Sequence, residues 1–228
     1  SSKAAIHGLI AALKDEDSYV RRSAAYALKG QSSEAAINAL IAALKDKDED
    51  SDVRRSAAYA LEGQSSKAAI HGLIAALKDE DSDVRGSAAK VLEGQSSLSE
   101  PAIHDLIAAL KDEDSDVRNS AAYALKGQSS LSKAAISDLV SMLDGDDEYD
   151  VQDVLRKQPR FYSMIESLDI QAWKHIWSFW LKLGVHNDVS CYEFADALYV
   201  WSGGIRYKIF TDPARIAQFR KDVLDTTG

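Results

Sequence analysis

Residues 31–66 read QSSEAAINALIAALKDKDEDSDVRRSAAYALEGQSS, a line that closes on the tripeptide with which it opens. Gln-Ser-Ser recurs at Gln31, Gln64, Gln95 and Gln128, 33, 31 and 33 residues apart, with nearly the same text after each. Self-similarity at this period marks a repeat architecture, because one such unit cannot bury its apolar face alone and must stack on its neighbours.

Each line holds two short periodic segments. In the first, Ile6, Leu9, Ile10 and Leu13 fall at i, i+3, i+4 and i+7, one stripe of a helix. The stripe recurs as Ile37-Leu40-Ile41-Leu44, Ile70-Leu73-Ile74-Leu77, Ile103-Leu106-Ile107-Leu110 and Ile136-Leu139-Val140-Leu143. In the second segment Val20, Ala24, Ala27 and Leu28 make a thinner stripe, whose alanines let neighbouring helices approach closely. Between the segments Asp17 or Ser18 can cap the second helix, and Ser33 or its neighbour the next one. Gly30 suits the left-handed turn that ends a helix. The two longer copies carry two-residue insertions, around Lys47–Asp48 and at Leu98–Ser99, both in expected loops.

The run DxDSxVRxSAAxAL, at Asp15–Leu28, Asp48–Leu61, Asp79–Leu92 and Asp112–Leu125, resembles the HEAT-like repeats of the phycobilisome-lyase type over about residues 1–158. The resemblance implies that the second helices line a concave face. It also implies that the arginine after each valine (Arg21, Arg54, Arg85 and Arg118) is structural, tied to acids of the turns. The expected fold is all-α: a right-handed α-solenoid of about five stacked helix pairs over residues 1–158, closed by an aromatic-rich helical cap or small domain over residues 159–228. The fifth pair reads as degenerate, with Gln152 for the arginine and Pro159 in the place of Leu28. The first copy reads as an internal repeat and the chain opens on Ser1, so further repeats upstream are expected.

Charge divides the chain as the repeats do. Residues 1–150 carry 17 Lys+Arg against 27 Asp+Glu, a net of −10, whereas residues 151–228 carry 10 against 9, a net of +1. An acidic array repels phosphate backbones, which argues against general nucleic-acid binding. One cysteine, Cys191, excludes an internal disulfide, and no apolar run approaches a membrane span or leader. A cytoplasmic location is expected, or that of a secreted effector acting in a host cytosol.

Within this near-verbatim text three columns on the second helix vary. One reads Tyr19, Asp52, Asp83, Asp116, Asp150; the next Arg22, Arg55, Gly86, Asn119, Asp153; the third Tyr26, Tyr59, Lys90, Tyr123, Lys157. Tyrosine and arginine often anchor protein interfaces. Tyr19, Arg22, Tyr26, Arg55, Tyr59, Lys90, Asn119 and Tyr123 are therefore the candidate protein-binding residues, on the face that the resemblance makes concave. The competing reading is an inert scaffold whose rings lie along the helix surface.

Other constellations are weaker. His7, Asn38, His71, His104 and Ser137 share a position, but alternation with Asn and Ser breaks a zinc ligand set. The acidic runs Asp46–Asp52 and Asp144–Asp150 lack the glycine and glutamate of a calcium loop. Neither a metal nor another cofactor is expected. Beyond Pro159, Trp173, Ile176, Trp177 and Trp180 form a core-like stripe, Ser190 with Glu193 has capping-box spacing, and Asp212-Pro213 can start a helix. His186 with Cys191 makes no catalytic motif, and Trp173-Lys174-His175 only weakly suggests single-strand binding. The leading expectation is a non-enzymatic scaffold or adaptor, of a bacterial style by resemblance. A nucleic-acid-binding HEAT-like protein and a targeting arm for a C-terminal effector module are the alternatives; partner and oligomeric state stay open.

Overall fold

A computed structural model describes residues 3–47, 49–143, 151, 154, 155, 157, 158 and 175. Among them the helices are α1 (Lys3–Ala12), α2 (Ser18–Ala27), α3 (Glu34–Lys45), α4 (Ser51–Ala60), α5 (Lys67–Ala76), α6 (Ser82–Leu92), α7 (Glu100–Ala109), α8 (Ser115–Lys126) and α9 (Lys133–Val140), with no strand. The chain forms two compact units, Ser1–Gln128, which holds α1 to α8, and Ser129–Gly228, which holds α9. The all-α repeat solenoid expected from the periodicity is what these residues build.

In the first unit each odd helix packs on the even helix that follows, and α2, α4, α6 and α8 pack in one continuous row. Alanine makes that row close: Ala25, Ala58, Ala89 and Ala122 are all but fully buried. The odd helices supply the bulk, with Leu40, Leu44, Leu73, Leu106 and Leu110 buried from α3 onward. Each such leucine contributes about 2–3 kcal/mol of transfer free energy. Ile6, Leu9 and Ile10 of α1 are only half-buried, since α1 packs mainly on α2 and only lightly on α3.

The caps follow their chemistry. Asp17, Asp50, Asp81 and Asp114 accept backbone N–H groups at the starts of α2, α4, α6 and α8. Ser33, Ser66 and Ser132 cap α3, α5 and α9, whereas Ser99 makes no capping bond to α7. Ser66→Ala is accordingly expected to cost about 1 kcal/mol, and Ser99→Ala close to nothing, in urea titrations followed by circular dichroism. Gly30 and Gly63 turn the chain with φ of 76° and 77°.

Two polar ladders tie copy to copy. In the first, Arg21 donates to Glu49 (2.6–2.9 Å), Arg54 to Asp79 (2.9 and 3.0 Å) and Arg85 to Asp112 (2.7 and 2.9 Å), each acid belonging to the next copy's turn. The same guanidinium groups reach the carbonyls of their own turns, Asp15 and Glu16 for Arg21, Glu49 for Arg54, and Asp79 and Glu80 for Arg85. Arg118 does likewise with Asp112 and Glu113. The structural role that the resemblance implied for these arginines is what the geometry displays.

Burial pushes the Asp79 carboxyl up, but hydrogen bonds from Arg54, the Asp81 N–H and Lys47 together hold it below the usual carboxylate range. Asp112 is held low in the same way, burial opposing Arg85 and the Asp114 N–H. A depressed folded-state pKa contributes stability that is complete above the unfolded value and is lost as pH falls through the folded one. Melting temperature is therefore expected to be insensitive to these two groups from pH 5 to 8 and to fall below about pH 4, near the unfolded carboxylate pKa.

The second ladder belongs to the glutamine of Gln-Ser-Ser. Gln95 Nε2 donates to the Gln64 carbonyl (3.3 Å), and Gln128 Nε2 to those of Gln95 (2.7 Å) and Ala124 (3.0 Å). Gln128 Oε1 also accepts the Leu98 N–H at 2.9 Å. In the second unit Gln158 Oε1 accepts the Leu131 N–H at 3.0 Å, and its N–H donates to the Leu155 carbonyl as that of Gln128 does to Leu125. Leu155 therefore holds the place of Leu125, and Lys157 that of Gly127. This corrects the sequence register, which set Lys157 in the Tyr26 column and Pro159 in the place of Leu28. The fifth copy reaches its glutamine about one helical turn early, so counting on from Val151 overshoots.

Apart from His175, Pro159 and the segments after it, with Trp173, Trp177, Trp180, His186 and Cys191, lie outside the described residues, as do Asp144–Asp150, Gln152 and Asp153.

Candidate functional site

The even helices present their free side to solvent, because alanine and leucine face inward and tyrosine, arginine and aspartate are left outside. Tyr19, Tyr26, Tyr59 and Tyr123 are 65, 60, 38 and 56 % exposed, large apolar surface held out in water. Tyr26 and Tyr59, one copy apart, stack with centroids 6.1 Å apart and planes at 8°. Arg22 lies over the Tyr19 ring at 5.3 Å, Lys29 over Tyr59 at 3.8 Å and Lys126 over Tyr123 at 4.4 Å. Contacts of this kind stiffen exposed rings at about 0.5–1 kcal/mol each.

Between the rings lie two similar notches. The first, about 340 Å³, is bounded by Tyr19, Arg22, Ser23, Tyr26, Ala27 and Ser56. The second, about 320 Å³, is bounded by Tyr26, Arg55, Ser56, Tyr59 and Ser87. Each offers ring faces, a guanidinium and serine hydroxyls, the groups that would hold one side chain of a bound chain by apolar contact and hydrogen bonds.

Arg22 Nη1 reaches Asp52 Oδ2 at 3.4 Å, and Arg55 reaches both Asp52 (2.7 Å) and, in the following copy, Asp83 (3.3 Å). These ions are half-exposed or more, so each pair contributes at most about 1 kcal/mol, but they fix where the guanidinium groups lie. Lys90 pairs with Glu93 at 2.9 Å. Asn119 is exposed on α8, and Tyr123 stands one turn beyond it.

The structure thus gathers Tyr19, Arg22, Tyr26, Arg55 and Tyr59 into one surface over α2 and α4, with Lys90 on α6 and Asn119 and Tyr123 on α8 continuing the row. Sequence reading missed the serine floors and the pairing of the arginine column with acids of the next copy. The identical spacing of the columns was the signal for the latter. Asp50 caps α4 and Asp52 takes part in the ion ladder, so the first acidic run works within the fold. His104 lies 3.8 Å from Glu100, and His71 borders a different opening. That opening, about 1030 Å³ between α5 and α7, has Ile70, Ile74 and Pro101 on its walls and the Lys78–Asp105 pair (2.7 Å) at its side.

With the stacked helix pairs in view, comparison with known families decides their kind: the HEAT repeats family matches residues 6–93 and 70–157. The chain belongs to the HEAT-repeat family. A search of curated proteins returned no significant match. An engineered protein is similar to the HEAT chain at 21% identity, over 97% of this chain and 95% of that one, with a TM-score of 0.52. Computationally designed armadillo repeat proteins for modular peptide recognition are similar at 16% identity, over 86% and 98%, with a TM-score of 0.51. The CpcE–CpcF complex of phycocyanin lyase from Nostoc shares 25% identity over 68% and 99%, with a TM-score of 0.49. The first two likenesses show the fold. Among the described residues of the HEAT chain no helix is long and apolar enough to cross a membrane.

Proposed function

We propose that this HEAT array is a non-enzymatic interaction scaffold, acting in the cytoplasm, that holds a protein partner along the row of even helices. The observation that carries the reading is the contiguous surface of exposed tyrosines with two similar notches one copy apart. Large rigid rings with polar tips give contact area at low entropic cost. Even helices pack in an unbroken row; among the odd helices α3 meets α5 nearly as closely, but α1 with α3 and α5 with α7 touch less, which supports placing the even helices on the inside of the curve. The designed armadillo proteins of similar fold recognise peptides, and a regular row of notches suits an extended chain in the same sense. The repeat region is taken to end near residue 158, one position beyond the family match, with residues 159–228 as a C-terminal cap or small domain.

Nucleic acid suits the face less well. Arg22 and Arg55 are engaged by Asp52 and Asp83, and phosphates would meet those carboxylates first. The test is quantitative capture from lysate by the parent chain and by a Tyr26→Ala, Tyr59→Ala, Tyr123→Ala variant. A protein bound by the parent and reduced about tenfold or more in the variant is the expected result for loss of interface anchors. Equal capture by both chains would remove the even-helix face as the site, and a nucleic acid in place of a protein would overturn the reading.

A further inference from the structure

The exposed ion ladder stops one rung early. Arg22 pairs with Asp52 and Arg55 with Asp83, each arginine reaching the acid of the following copy. On the third rung Gly86 stands in the arginine column, and Asp116 still stands in the acid column. Asp116 is exposed, and among the described residues no cation pairs with its carboxylate. A Cβ built on Gly86 would meet only Val117 Cγ2, at 3.7 Å, so the place of the missing side chain is open from the solvent side. Asp83 beside it is 71 % exposed and pairs with Arg55 at 3.3 Å. Negative potential is thus concentrated at Asp83 and Asp116, since the cation one turn beyond Gly86, Lys90, is engaged by Glu93.

The two notches lead to this place. Neighbouring helices of a row lie about 8–10 Å apart, and a chain in the extended polyproline II form advances about 3.1 Å per residue with three residues per turn, so every third side chain of a bound segment faces the array at about the spacing of one copy. Side chains seated beside Tyr26 and Tyr59 would bring the next such residue over Gly86.

We propose, resting on the interaction reading above, that the bound segment is extended and supplies a lysine or arginine at the level of Gly86. That cation takes the place of the arginine the array lacks and pairs with Asp116. The ladder is completed by the partner, and segments with an acid there are rejected by Asp83 and Asp116.

Two nine-residue peptides test this by fluorescence polarisation. Both carry phenylalanine at the second and fifth places and serine elsewhere, with arginine or glutamate at the eighth, and each is made in both chain directions. The parent chain is expected to prefer the arginine peptide by about tenfold, an exposed pair gained against a repulsion. Asp116→Asn and, separately, Gly86→Arg are each expected to bring the preference below about twofold, since one removes the acid and the other satisfies it internally. Glu34→Gln, the same change of charge as Asp116→Asn but at the start of α3, is expected to leave the preference intact. A parent chain that binds neither peptide or is indifferent between them, or a preference that survives Asp116→Asn, overturns the inference. Tyr26→Ala with Tyr59→Ala separates the two levels. Binding that depends on the tyrosines without an arginine preference removes this inference alone, whereas parent-like binding by the tyrosine variant removes the proposed function as well.

Discussion

Asp79→Ala is expected to cost about 3–5 kcal/mol, the largest single-residue loss in the array outside its leucine core. The reason is where the pair sits: Arg54 and Asp79 are both buried, with side chains 3 and 2 % exposed, and they join one copy to the next. Removing the carboxylate leaves a guanidinium in a low-dielectric position held by the Glu49 carbonyl, with the exposed Glu80 and the more distant Asp81 as its remaining acids. Losing the Asp81 N–H contact adds to the effect. Urea denaturation followed at 222 nm measures it, with Asp52→Ala as the comparison. That acid, half-exposed, is expected to change stability by no more than about 1 kcal/mol. In the double variant Arg54→Ala, Asp79→Ala the loss is expected to fall short of the sum of the single losses by about 0.5–3 kcal/mol. Equal, small losses for Asp79→Ala and Asp52→Ala would mean that Arg54 escapes to water when its partner is gone.

Gln128→Ala comes next, at about 2–4 kcal/mol, because it strands a buried N–H and two carbonyls together. Its amide accepts from Leu98 and donates to Gln95 and Ala124, all within the first unit. Gln128→Glu keeps the shape and the acceptor but loses both donors, so it is expected to be at least as damaging as alanine. Gln64 is only half-buried, and Gln64→Ala is expected to lose less. The same urea titration separates these cases. An alanine variant indistinguishable from the parent would show that water replaces the amide without loss.

Much of the fold was legible because helical periodicity is a one-dimensional signal. The stripe Ile37-Leu40-Ile41-Leu44, the capping Asp17 and Ser33 and the turn at Gly30 each follow from spacing and local chemistry alone. What pairs across copies was not legible. Glutamine in Gln-Ser-Ser served only to mark the period, since its role depends on a carbonyl one copy back, such as Gln64 for Gln95. The insertion around Lys47–Asp48 likewise gives Arg21 a glutamate, Glu49, where Arg54 and Arg85 take aspartates. The fifth copy was misaligned because a segment one turn short keeps its valine and its glutamine but not the count between them. As for the face, variation in the columns pointed to Tyr26, Tyr59 and their neighbours. The pairing of Arg22 with Asp52 and the vacancy at Gly86 needed the offset between stacked helices, which sequence does not carry.

Site-specific photocrosslinking tests the account most directly. Benzoylphenylalanine in place of Tyr59 probes the even-helix face; in place of His71, on α5, it probes the apolar opening between α5 and α7. After irradiation with the captured partner, the expected result is a covalent adduct from position 59 and none from position 71. An adduct from position 71 with none from position 59 would contradict the account and move the interaction surface to the odd helices.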